Sequence, residues 1–232
     1  MNTYSVRFTP RVILLSSFGH GLLSTSFRSS RPAIRFPTTD VRVFNSRASV
    51  GVRGIKLQGN DKVVSMSITR HFKAEADERA AYLKMRRAMA GLADDAETDD
   101  EEEAVAGAIS QERYAEMSAA ENLILTITAK GSAKLSCSHD HPVRGRGGKG
   151  VAAMDKAMPG GPLVTSVPVE MSDQIMLVTS TDQSVRVPIE GISFRSRGVG
   201  GVKVFYTGKG ETVVSVAWIA DQGDEEEATP EV

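Results

Sequence analysis

Cysteine is almost missing from this chain: Cys137 is the only one in 232 residues. A lone thiol excludes an internal disulfide and points to a reducing compartment. Long apolar runs are missing too, and nothing approaches the roughly 20 residues that a bilayer-spanning helix needs, so no membrane partner is expected. Acid is absent before Asp40, while serine and arginine are frequent there. The nucleotide-gripping motifs also fail. The stretch VRGRGGKG, residues 143–150, has the glycines and cations of a phosphate loop. A P-loop, however, needs a hydroxyl after its Gly-Lys and a glycine five residues before it. Here Gly150 follows Lys149, and Val143 stands at the other end. A dinucleotide fingerprint needs a strand before the loop and a helix opening from it; the Pro159-Gly160-Gly161-Pro162 turn soon follows instead. No cofactor is expected.

What is present is segregated charge. Residues 94–103 hold eight acids and no base, and residues 221–232 hold six acids and no base. The remainder carries 28 bases against 15 acids. Such a body attracts polyanions, whereas blocks of one sign are usually solvated.

The glycine-rich loop has siblings. Arg47-Ala48-Ser49-Val50-Gly51-Val52, Arg146-Gly147-Gly148-Lys149-Gly150-Val151 and Arg197-Gly198-Val199-Gly200-Gly201-Val202 share the form R-x-x-x-G-V. Their flanks repeat as well: IRFPTTDVRVFNSR (34–47) resembles VRVPIEGISFRSR, KVVSMSI (62–68) resembles TVVSVAW (212–218), and LILTITAKGSAKL (123–135) resembles IMLVTSTDQSVRV. Self-similarity near 50 residues indicates a propeller or a related array of small sheets. The segments ILTIT and IMLVT are rich in β-branched residues and run into turns at Ala129-Lys130-Gly131 and Ser180–Gln183. Val185-Arg186-Val187 would return from the second turn, and Pro37 and Pro188 would close the returning strands, where a missing N–H does least harm. The glycine of R-x-x-x-G-V is expected at a bend or bulge that a Cβ would block.

The fold class expected is therefore mainly β: about three four-stranded blades in a partial propeller-like array, with a helical insertion. The blades are placed at 33–70, 122–171 and 172–220. Residues 71–121 form the insertion, with a helix over Asp77–Ala90 that shows only a loose stripe of Ala81, Leu83, Met85 and Met89. Ser110 would cap a second helix reaching Ala120, with Tyr114 and Met117 on one face. The acidic run lies between the helices. Residues 221–232 read as an acidic tail. Residues 1–32 read as a poorly defined segment or a degenerate blade remnant, with a transit peptide the weaker reading.

The segments AIRFPTTDVRVFNSRASVGVRGIKL, DERAAYLKMRRAMAG, ERYAEMSAAENLILTIT, RGRGGKGV and DQIMLVTS resemble the C-terminal DNA-wrapping domain of bacterial DNA gyrase A over about residues 33–220. The resemblance implies a β-pinwheel, a disc whose blades exchange strands with their neighbours. The family disc usually has six blades, and the copies here look like the last three, so a truncated form is expected. The family's gyrase box, Q-R-R-G-G-x-G, resembles Arg144–Gly150, but the first two positions differ and the flanks place it in a later blade. None of Tyr4, Tyr82, Tyr114 and Tyr206 stands in the A-x-R-Y-T setting of the family's catalytic tyrosine, so this chain alone is expected to be inactive as an enzyme.

By resemblance, the partners are duplex DNA, the rest of gyrase A, and gyrase B, in a bacterial cytoplasm near the nucleoid. The function expected is non-sequence-specific binding and bending of duplex DNA within a type IIA topoisomerase, in support of negative supercoiling. The alternative is a propeller-like protein-interaction module without DNA binding. The residues expected to contact DNA are Arg42, Arg47, Arg53, Lys56, Arg144, Arg146, Lys149, Arg195, Arg197 and Lys203, because cations on glycine-rich turns suit phosphates. Cys137, His139 and His141 would share a face if CSHDH were a strand, but a fourth ligand is lacking and no metal is assigned. Trp218 and the methionines are assigned to the core.

Overall fold

The structure is a computed structural model and describes residues 11–12, 22–42, 51–91, 109–155 and 160–219. The chain opens with a two-residue strand β1 (Arg11–Val12). It then forms a hairpin of β2 (Leu22–Arg28) and β3 (Pro32–Pro37), a short strand β4 (Val52–Arg53) and a long strand β5 (Val63–Arg70). Helices α1 (Ala76–Met89) and α2 (Gln111–Ala119) follow. The second unit has the hairpin β6 (Leu123–Thr128) and β7 (Ser132–Cys137), then β8 (Val151–Ala152) and β9 (Leu163–Val169). The third repeats the pattern with β10 (Gln174–Thr179), β11 (Ser184–Pro188), β12 (Val202–Lys203) and β13 (Val213–Ile219).

The three larger sheets are antiparallel and built alike: the first hairpin strand is central, the second lies on one side, and the last strand of the unit lies on the other. The hairpins share one turn. Its third residue has positive φ in each case: Arg31 at 80°, Gly131 at 75° and Asp182 at 61°. Glycine accepts this conformation freely, aspartate tolerates it, and an arginine needs outside support. Arg31 has that support, because its guanidinium donates to the carbonyls of Gly161 and Asp155 in the second unit. After each hairpin a 3-10 turn follows Pro37, Cys137 or Pro188.

The R-x-x-x-G-V segment leaves its own unit. Strand β8 adds to β3, pairing Val151 with Ala33, and β12 adds to β7, pairing Val202 with Ala133. Strand β4 goes the same way, to β1. The motif glycine is required by close approach. A Cβ on Gly150 would lie 2.4 Å from the Ala33 carbonyl oxygen, and one on Gly201 would lie 2.8 Å from that of Ala133. So the glycine meets the neighbouring sheet, where the sequence suggested only a local bend.

The sheets stack through their faces. Phe27 and Ala33 of the first pack on Ile124 and Ala153 of the second. Leu125, Ile127 and Leu135 of the second pack on Ile175, Leu177 and Ile189 of the third. Each large apolar side chain fully removed from water contributes about 1.5–3 kcal/mol.

Three expectations are corrected. The first sheet begins at Leu22, eleven residues before the expected start of its blade, because β2 is its central strand. LLSTSFR is poor in β-branched apolar residues, which hides it. Helix α1 buries Ala81 and Tyr82 and leaves Met85 and Met89 exposed, so the Ala81-Leu83-Met85-Met89 stripe is not its packing face. Tyr82 instead meets Met117 and Cys137 in a satellite core and stacks on Tyr114. Trp218 is 55% exposed, on the outer strand of the third sheet, where its indole N–H donates to Asp173. The methionines divide: Met117 and Met154 are buried, whereas Met85, Met89 and Met171 are exposed.

Capping explains the helix ends. Glu75 and Glu78 form a capping box at α1, and the Ser110 hydroxyl accepts from the Arg113 amide at α2. Arg113 then ties the helices together through Glu78. The acidic run at 94–103 and the tail at 221–232 lie outside the described residues.

Candidate nucleic-acid interface

Two loops from different units lie side by side at the junction of the first and second sheets. The Gly147 amide donates to the Gly54 carbonyl at 2.6 Å, and the Lys56 amide to that of Gly148 at 2.8 Å. The Arg144 amide donates to the Arg35 carbonyl at 2.8 Å, which anchors the start of the glycine loop to the edge of β3. These bonds bring Arg53, Lys56, Arg144 and Lys149 onto neighbouring backbone, with all four side chains exposed. The Lys149 carbonyl, in turn, is held by the Arg28 guanidinium at 3.1 Å. Among the described residues no acidic side chain forms a salt bridge with any of the four.

The motif arginines do something else. Arg146 Nε donates to the Asp40 carbonyl at 2.9 Å and reaches the Arg53 carbonyl at 3.5 Å. Arg197 repeats this one unit later: Nε donates to the Asp140 carbonyl at 2.8 Å, and the guanidinium also donates to the Ala152 carbonyl. Each therefore clamps the preceding 3-10 turn to the short exchanged strand that follows it. Arg146 is exposed, while Arg197 is 5% exposed and its backbone amide is capped by the Asp140 carboxylate at 2.6 Å. Lys203 is exposed, donates to the Lys130 carbonyl at 2.5 Å and lies 5.7 Å from the Tyr206 ring centroid. The Arg195 amide is bonded to the Leu135 carbonyl, and its side chain is half-buried. Arg42 is exposed. Arg47 lies outside the described residues.

Several buried cations were not read from the sequence. Lys134 donates to the carbonyls of Ser196, Arg197 and Val199 at 2.5–2.8 Å, fastening the third glycine loop. Burial pulls its ammonium down to about 7. Arg35 reaches the carbonyls of Ser138 and His141, and burial lowers it to about 10. Arg28 pairs with Asp61. Burial alone would lift the Asp61 carboxyl, but hydrogen bonds from Ser29, Ser30 and Arg28 hold it at about 2. A signal for Arg35 and Lys134 was present, in cations at strand positions whose neighbours are apolar.

The Cys137, His139 and His141 face does not form. Residues 138–140 are a 3-10 turn, which breaks strand alternation. The His139 ring bonds the Met117 carbonyl, and His141 packs edge-on to Phe27. Among the described residues no three His, Cys, Asp or Glu side chains gather to hold a metal ion, and no helix is long and apolar enough to cross a membrane.

A family model described as the DNA gyrase C-terminal domain, beta-propeller, matches residues 33–70, 122–165 and 173–217, more than half of the chain. The DNA gyrase A protein of Granulibacter bethesdensis is 42% identical over 196 residues, covering 79% of this chain and 21% of that protein. That of Rickettsia bellii is 36% identical over 213 residues, covering 91% and 23% respectively. The chain thus spans about a fifth of the length of these relatives. A solved DNA gyrase A C-terminal domain superposes with a TM-score of 0.59 at 18% identity, over 88% of this chain and 52% of that one. The C-terminal domain of DNA topoisomerase IV gives 0.58 at 19% identity, over 86% and 47%.

Proposed function

We propose, from the premise that this chain belongs to the DNA gyrase C-terminal domain family, that it binds and bends duplex DNA without sequence preference, as a wrapping element of a type IIA topoisomerase. The remaining parts of a bacterial gyrase would be its partners, and support of negative supercoiling its role. The observation that carries this reading is the cluster of Arg53, Lys56, Arg144 and Lys149: four exposed cations with no acidic partner among the described residues, held on loops bonded to one another.

Phosphate contacts fix a duplex on a protein without reading its sequence, and they require cations and accessible backbone amides. The loops at the junction of the first and second sheets supply the cations. Arg146 and Arg197 enter the proposal as clamps that fix the loops, with Arg197 too buried to reach a phosphate. Arg42, Arg195 and Lys203 would extend the basic track beyond the central cluster, and Arg47 remains a candidate contact from its place in the sequence motif. Bending 20–30 base pairs around such a track costs on the order of 1–6 kcal/mol. Counterion release from the phosphates can offset this, and it makes affinity fall steeply with salt.

The test is a salt titration of affinity for duplexes of unrelated sequence. Similar affinities with a steep common salt slope support the reading. Absence of duplex binding at low salt would remove it and favour a protein-interaction module.

A further inference from the structure

The two junctions between units are built from the same parts and carry different charge. At the first, the loop that begins at Arg144 lies on the segment that begins with β4. At the second, the loop that begins at Arg195 lies on the segment that begins with β8. Matching bonds fix the correspondence. The Arg144 amide donates to the Arg35 carbonyl and the Arg195 amide to that of Leu135, while Arg146 and Arg197 reach the carbonyls of Arg53 and Ala152. In this register Arg53, Lys56, Arg144 and Lys149 of the first junction correspond to Ala152, Asp155, Arg195 and Gly200 of the second. Four bases thus give way to one base and one acid.

The loops also differ in exposure. At the first junction Arg144, Gly145, Arg146, Gly148 and Lys149 are exposed. At the second, Ser196 and Arg197 are each 5% exposed and Gly200 is buried. The strand beneath each loop differs accordingly. Ile34 and Lys134 hold equivalent places, paired with Ser26 and Thr126. Ile34 offers its loop a methyl group, 3.6 Å from where a Cβ on Gly148 would lie. Lys134 draws its loop inward, with the ammonium donating to the carbonyls of Ser196, Arg197 and Val199. Arg86 of α1 lies over the Phe194 ring, 4.6 Å from its centroid, so the helical insertion also holds the start of this loop. The first junction carries Lys149 on its loop, whereas the second carries Lys134 beneath its loop.

We propose that the basic track is broken at the second junction: a duplex is gripped across Arg53, Lys56, Arg144 and Lys149, and Asp155 with the sunken loop beside it releases the duplex at the next junction. This rests on the DNA-binding reading and adds to it where contact stops. Phosphates are held by exposed cations and accessible amides. A carboxylate at the place of Lys56 repels a phosphate there, and an arginine as buried as Arg197 cannot extend to one. Arg195 and Lys203 then act as outlying charges beyond the grip. Asp155 is a specificity determinant of an unusual kind, because it sets the length of duplex held and not its sequence.

The test exchanges charge between the junctions in the full chain, with salt titration of duplex affinity and the length of duplex protected from hydroxyl radical as readouts. Arg53→Ala with Lys56→Asp gives the first junction the residues of the second, and should lower the slope of log affinity against log salt by about 2. Ala152→Arg with Asp155→Lys gives the second junction the residues of the first, and should steepen that slope by about 2 and lengthen the protected stretch. Asp155→Asn keeps the side-chain shape and removes the charge; it should tighten binding about twofold at low salt and leave it unchanged at high salt. Circular dichroism checks that each variant is folded. An unchanged slope in the first exchange, or unchanged slope and protection in a folded second exchange, would overturn the proposal. If the second exchange does not fold, Asp155→Asn decides in its place, and unchanged low-salt affinity overturns the proposal. Absence of duplex binding by the unmodified chain would remove the DNA-binding reading and this inference together, whereas duplex binding with inert exchanges would remove the inference alone.

Discussion

The Arg197 guanidinium meets the carbonyl of Asp140, 57 residues earlier in the chain, at 2.8 Å, and the Asp140 carboxylate caps the Arg197 amide at 2.6 Å. Arg146 makes the matching bond to Asp40 at 2.9 Å. The motif arginine is thus a brace between successive units before it is anything else. Replacing Arg197 by alanine should lower stability by about 2–3 kcal/mol, because buried acceptors lose their partner. Arg146→Ala, at an exposed site, should cost less than about 1 kcal/mol. Urea unfolding of both variants checks the order; equal losses would refute the assignment.

Gly150 cannot carry a side chain. With φ at 82° and a neighbouring carbonyl oxygen 2.4 Å from any Cβ, Gly150→Ala should destabilise by about 2 kcal/mol or more. Gly145 has nothing within 4 Å of its Cβ position, and Gly145→Ala should be close to neutral. Thermal midpoints of the two variants make the comparison.

Removing the four exposed cations as Arg53→Gln, Lys56→Gln, Arg144→Gln and Lys149→Gln should weaken duplex binding while leaving the unfolding midpoint nearly unchanged. If each touches one phosphate, the slope of log affinity against log salt should fall by about 3–4. An unchanged slope would move the interface elsewhere.

Asp61 should make stability pH-dependent in acid. Its folded-state carboxyl sits at about 2, below the ordinary value of 3.8. The unfolded chain therefore takes up this proton first as pH falls. The stabilisation is present in full above about pH 4 and is lost as pH drops toward 2, with a total of roughly 2 kcal/mol. Asp61→Asn should flatten the unfolding profile between those limits; a profile parallel to that of the native chain would contradict this.

The acidic tail offers a separate test. Deleting residues 221–232, which carry six acids and no base, should tighten duplex binding at low salt if the tail competes for the basic loops. Screening should remove the difference at high salt. Equal affinity at low salt would mean that the tail does not compete.

Local chemistry was legible in the sequence. Repetition of R-x-x-x-G-V marked the units, β-branched runs marked the hairpin strands β6 and β10, and Ser110 and the acids near residue 77 marked the helix starts. Each signal depends on neighbours within a few residues, so the sequence by itself determined a repeated β architecture with a helical insertion. It missed β2, because LLSTSFR is poor in β-branched apolar residues and owes its burial to packing in the folded stack and not to its own hydrophobicity. It also treated every loop cation alike. Only the tertiary structure separates Arg197, spent on Asp140 and Ala152, from Arg144 and Lys149, which face solvent. That division is set by strand exchange, which moves the second and third glycine loops onto the edge of the preceding sheet. Which cations are consumed there depends on contacts between residues some fifty to a hundred positions apart, which no local pattern encodes.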